Sequence, residues 1–133
     1  MMNSTLPLID INNNSSLIYK LFRVEDDPKY VCFEIAFIND TQNIQFTHTI
    51  FDDELPLLNK LLLLEVGAYH FAEPDVYFEI VDVQQDTIHL IVHLEVDLIN
   101  SLPSSNHYES HHMTIDKQAF IQFITYLIYH IEH

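Results

Sequence analysis

One glycine, one cysteine, no tryptophan and five Lys and Arg residues are what this 133-residue chain has least of. A single glycine cannot build a Gly-rich phosphate loop, and no G-x-S-x-G nucleophile turn can be written, so the common nucleotide-binding and hydrolase motifs are excluded. A single cysteine, Cys32, rules out an intrachain disulfide and is compatible with a reducing cytosol. Its neighbours Val31 and Phe33, in an acidic chain, give none of the electropositive setting that activates a thiol, so it reads as buried and inert. No apolar run approaches the ~20 residues that span a bilayer. The opening segment MMNSTLPLIDINNNSS has no Lys or Arg and is read as neither secretory signal nor transit peptide. The expected location is cytoplasmic.

The shortage of basic residues has the largest consequence. Against them stand 20 Asp and Glu, a formal net charge of -15 with His neutral. Small domains more often sit ~2 to 8 charges from zero. Such a surface repels nucleic acid and anionic membranes, and it attracts a basic protein within a Debye length of ~8 Å at physiological salt. The chain is no disordered acidic tail, because 48% of it is apolar and it carries 9 Phe and 7 Tyr. Its length suits one domain over residues 1–133, with 1–16 as a loose lead-in or an edge strand through Leu6, Leu8 and Ile9.

Periodicity then predicts the elements. Leu17 to Val24 alternates, and a turn at Glu25-Asp26-Asp27-Pro28 follows. Val31, Phe33, Ile35 and Phe37 form the apolar face of a second strand. Ile44, Phe46 and Ile50 do so for a third. Asp52-Asp53-Glu54 before Leu55-Pro56 signals a helix from about Asp53 to Glu65, with Gly67 as its C-terminal cap. Val76, Phe78 and Ile80 alternate, and Ile88, Leu90, Val92, Leu94, Val96 and Leu98 face inward from the next strand. Asn100–Asn106 is a loop, Tyr108–Met113 a last short strand. Thr114 or Asp116 caps a C-terminal helix of Phe120, Phe123, Ile124, Leu127, Ile128 and Ile131. The expected class is α+β, a mostly antiparallel sheet of five to six strands with a central and a C-terminal helix packed on it.

The nine histidines offer raw material for a metal site, but their spacing argues against most combinations. His89 and His93, four apart on a strand, lie roughly 13 Å from one another and cannot share an ion. His111 and His112 point to opposite faces if extended. His130 and His133 suit the C-terminal helix dipole. A metal-dependent enzyme built on His107, Glu109, His111 and His112 is the least favoured alternative. Neither a metal nor another cofactor is expected. The acidic groups themselves are the candidates for binding a partner: Glu25, Asp26 and Asp27; Asp52, Asp53 and Glu54; and the polar strand face of His89, His93, Glu95 and Asp97.

A leucine-rich helix followed by Glu73-x-Asp75-Val76-x-Phe78, the strand Ile88-x-Leu90-x-Val92-x-Leu94, then Met113-Thr114-x-Asp116 entering Phe120-x-x-Phe123-Ile124-x-x-Leu127, has a familiar layout. Over residues 45–131 it resembles the small bacterial immunity proteins of polymorphic-toxin systems, in particular the group of the WapI immunity protein. The resemblance implies a non-catalytic cytoplasmic protein that binds and neutralises a cognate toxin. Many such toxins are nucleases with basic clefts, which an acidic surface can occupy. The alternative is an adaptor or structural protein that homodimerises through a sheet edge or helix.

Overall fold

A computed structural model describes residues 5–27, 29–95 and 108–132. The first strands are β1 (Thr5–Ile9), β2 (Ser15–Asp26), β3 (Lys29–Asn39) and β4 (Asn43–Phe51). A 3-10 turn over Asp52–Glu54 leads into α1 (Leu55–Leu61). The second half is β5 (Gly67–His70), β6 (Val76–Val83), β7 (Thr87–Glu95), β8 (Tyr108–Asp116) and α2 (Lys117–Glu132). The strands form two antiparallel four-stranded meanders, β1-β2-β3-β4 (sheet A) and β5-β6-β7-β8 (sheet B). The class is α+β, with eight strands in two sheets among the described residues. Among the described residues no helix is long and apolar enough to cross a membrane.

Alternating Val, Ile, Leu and aromatic residues put one face of each sheet in the core. Leu17, Tyr19, Phe33, Ile35 and Phe37 are buried from sheet A, and Phe78, Ile80, Leu90, Val92 and Met113 from sheet B. The C-terminal helix packs between these faces. Phe123 meets Tyr19 edge-on at 5.1 Å and Phe78 at 6.2 Å between ring centroids. Phe120, Ile124, Tyr126, Leu127 and Ile131 are also buried, so the apolar stripe covers most of the helix circumference. Its entry is capped by Asp116, whose Oδ2 accepts the Ala119 N–H at 3.0 Å.

The two sheets meet edge to edge at the β1–β2 turn. Asp10, 4% exposed, directs Oδ1 at the Thr114 N–H (2.7 Å) and Oδ2 at the N–H groups of Asn12 (3.1 Å) and Asn14 (3.4 Å). The Ile11 N–H donates to Thr114 O at 2.8 Å. Asn13 takes the left-handed conformation this turn needs, φ 59°, which Asn tolerates well. Of the two readings of residues 1–16, the edge strand is the one formed, over Thr5–Ile9, with an organised turn after it.

The central helix is shorter than its leucine run predicts. It ends at Leu61, and Leu63 and Leu64 N–H groups bond the third residue back, to Lys60 O and Leu61 O. Leu64 is left-handed at φ 58°, and Gly67 does not cap the helix. It opens β5 opposite Ile80 with φ 150°, a backbone conformation that L side chains rarely adopt. Val96, Asp97 and Leu98, the expected loop 100–106, and His107 and His133 lie outside the described residues.

Candidate functional site

Two of the three acidic groups converge at one end of sheet A. Tyr30 of β3 pairs with Glu25 on one side and with Phe51 on the other. The β2–β3 hairpin turn and the exit of β4 are thus two strand spacings apart, roughly 10 Å. Glu25, Asp26 and Asp27 therefore stand beside Asp52 and Asp53, and all but half-buried Glu25 are exposed. Two cations answer part of this charge: Arg23 lies 3.6 Å from Glu25, and Lys29 lies 3.6 Å from Asp26. Aromatic side chains share the patch. Tyr30 and Phe51 rings sit 5.9 Å apart, and the Arg23 guanidinium stands 6.0 Å from both Phe22 and Tyr30. Phe22 is 56% exposed because a bulge between Leu21 and Arg23 leaves it without a partner in β3.

Glu54 is not part of that surface. Its Oε2 accepts the Phe51 N–H at 2.9 Å and its Oε1 the Ala72 N–H at 2.6 Å, and the residue is buried. It satisfies backbone donors at the helix start and ties the β5–β6 connection to β4. Glu73 does likewise, accepting the Thr49 N–H at 2.8 Å.

The third group maps to the outer face of sheet B, where register adds residues from neighbouring strands. His93 pairs with Tyr77 and Ser110; Ile91 pairs with Glu79 and His112; His89 pairs with Asp82 and Thr114. The Tyr77 ring is stacked between His70 (4.1 Å) and His93 (4.3 Å), with Tyr108 edge-on at 4.9 Å. Nδ1 of His93 is 2.7 Å from Ser110 Oγ, and its Nε2 is 3.0 Å from Glu79 Oε1. Hydroxyl, imidazole and carboxylate thus stand in line, as in a nucleophile relay. They lie on the outer face of sheet B; among the described residues a hollow of about 370 Å³ lies on the other sheet, over Ile18, Lys20, Glu34, Ala36, Gln45 and Thr47. With both ring nitrogens held and Tyr77 stacked on it, His93 is fixed and only 8% exposed. In this position it links side chains of β6, β7 and β8.

Farther along the same face, His89 Nε2 and His112 Nδ1 are 2.8 Å apart. His111, one residue earlier, turns inward against Phe37 (4.4 Å between centroids), its Nε2 2.7 Å from Glu109 Oε1. His111 and His112 are thus separated by the sheet. Among the described residues no group of three or more His, Cys, Asp or Glu side chains could hold a metal ion.

Glu95, at the end of β7, belongs to a further carboxylate group with Glu73 and Asp75. Burial, the charges of Glu73 and Glu95, and a hydrogen bond to Glu95 all raise the Asp75 carboxyl above its ordinary range. Burial, then the charges of Glu95 and Asp75, likewise raises the Tyr108 hydroxyl, which donates to Pro74 O at 2.8 Å. Periodicity within β7 could reveal His89, His93 and Glu95 as one face. Their partners His70, Tyr77, Glu79, Tyr108, Ser110 and His112 come from other strands, and only the register brings them in. Comparison with protein-family models, with curated proteins and with solved structures finds no match.

Proposed function

We propose that the protein is a cytoplasmic immunity protein that binds and neutralises a cognate bacterial protein toxin, presenting an acidic surface to a basic toxin cleft. The observation that carries this reading is the convergence of Glu25, Asp26, Asp27, Asp52 and Asp53 around Phe22, Tyr30 and Phe51. Interfaces draw most of their energy from a few aromatic and Arg anchors, while charges around them steer encounter and reject wrong partners. This end of sheet A supplies both, in a chain whose net charge of -15 favours a basic partner throughout. The expectation that no nucleic acid binds follows from the same charge.

Co-expression with toxin domains encoded beside the gene tests the proposal. The expected outcome is survival of cells carrying the toxin and a stable complex on purification. Toxicity undiminished by this chain, with no complex for any neighbouring toxin, overturns it. A second reading, an adaptor that pairs with a copy of itself, draws on exposed Ile9 (47%), Ile11 (51%) and Ile38 (36%) at the opposite end of sheet A. Light scattering separates the two: a stable homodimer without toxin affinity favours the adaptor.

A further inference from the structure

We infer that His89 and His112 form a binding site for a borderline divalent transition-metal ion, with Zn(II) as the probe, on the outer face of sheet B. The two imidazoles come from adjacent antiparallel strands and share one face, diagonal to each other and two residues out of direct register: His89 pairs with Thr114, and His112 with Ile91. Ladder hydrogen bonds on both strands hold their backbones, so the rings are brought together before any ion arrives. Their facing nitrogens, His89 Nε2 and His112 Nδ1, are 2.8 Å apart and the rings 5.0 Å between centroids. Two nitrogens ligating one zinc at ~2.0–2.1 Å in adjacent positions stand roughly 3.0–3.4 Å from each other. Opening the pair by a few tenths of an ångström converts a nitrogen–nitrogen hydrogen bond into a two-point clamp.

The surroundings suit a cation. Asp82 pairs with His89 on the same face, and Asp116 pairs with Thr87 two residues along. Imidazole selects zinc, copper or nickel over calcium or magnesium, which take oxygen. His112 is exposed and His89 half-buried, so the remaining coordination positions face solvent, open to water or to a donor from a partner. The inference is independent of the immunity reading, since it rests on a different surface.

Zinc titration into the full chain by calorimetry at neutral pH tests it, in wild type, His89→Ala, His112→Gln, the double variant, and a His107→Ala/His133→Ala control. One zinc per chain is expected in wild type and in the control. Each single variant should bind more than about tenfold more weakly, as loss of one of two ligands requires. Zinc should also raise the thermal midpoint of wild type and leave that of the double variant in place, a readout that mere misfolding of a variant cannot mimic. Wild-type affinity in the double variant, or no zinc uptake by wild type, overturns the site.

Discussion

At His48 the interior of sheet A holds a neutral imidazole. The residue is fully buried, with Nδ1 3.2 Å from the Tyr19 hydroxyl and the ring edge-on to Phe71 at 4.9 Å. Burial lowers its pKa to about 3, with the Glu73 backbone acting in the opposite sense, and burial also raises the Tyr19 hydroxyl far above its usual range. The unfolded chain binds this proton below about pH 6.5, and the folded chain refuses it until about pH 3. Within that window the unfolded state carries more protons, so stability falls as pH falls. This one group contributes a slope of about 1.4 kcal/mol per pH unit at most. Urea unfolding of wild type and His48→Gln at several values between pH 6.5 and 4.5 should show a shallower slope in the variant. Parallel profiles would rule out His48 as a source of acid sensitivity. Asp75 has the opposite sign. Its raised carboxyl makes ionisation costly to the fold, so stability is lost as pH rises through its titration. Asp75→Asn should raise the thermal midpoint at pH 7, and the gain should shrink as pH drops below the carboxylate range. An unchanged or lower midpoint at pH 7 counts against this account.

At the scale of elements, the junction between the sheets hangs on Asp10. Three backbone N–H groups converge on its carboxylate, one of them from β8, more than a hundred residues away in sequence. Asp10→Ala should cost on the order of 2 kcal/mol, since it leaves the half-buried Thr114 N–H without its acceptor and removes charge-assisted bonds, while Asp10→Asn should lose less. Chemical denaturation measures both; a loss below 1 kcal/mol for the alanine variant would show that the Ile11–Thr114 bond suffices. Nothing in the local pattern Leu8-Ile9-Asp10-Ile11 marks this residue, because its partner Thr114 is fixed only by the packing of two sheets. What could be read were the long alternations of β3 and β7 and the helical spacing of Phe120, Phe123 and Leu127, where one period runs for many residues. β5 could not, since Gly-Ala-Tyr-His is too short to show a period. The bulges at Leu21/Arg23 and Ile80/Asp82 each move the alternation of the residues beyond them by one, and no single strand's pattern marks where they fall. His48 shares a face with Ile44 and Ile50, and the one feature that could have flagged it is a polar residue in an apolar register.

For the whole molecule, the question is whether the excess charge acts as a general field or as a local surface. A field of net -15 alone would speed association with a basic toxin regardless of where the charges sit. A local surface at the hairpin end of sheet A makes position matter, because charges at the rim of an interface act chiefly on the association rate. Asp27, Asp52 and Asp53 are exposed at that end, and their replacement leaves the Arg23–Glu25 and Lys29–Asp26 pairs intact. Asp40, Asp82 and Asp86 are exposed away from it, at the β3–β4 turn and around the β6–β7 turn. Asp27→Asn/Asp52→Asn/Asp53→Asn and Asp40→Asn/Asp82→Asn/Asp86→Asn therefore carry the same net charge. With a toxin identified by co-expression, stopped-flow association at low salt should be slowed several-fold more by the first triple variant than by the second. The difference should vanish as added salt shortens the Debye length toward ~3 Å at 1 M. Equal slowing by both variants would leave the field and remove the local surface, and a wild-type rate indifferent to salt would remove electrostatic steering altogether.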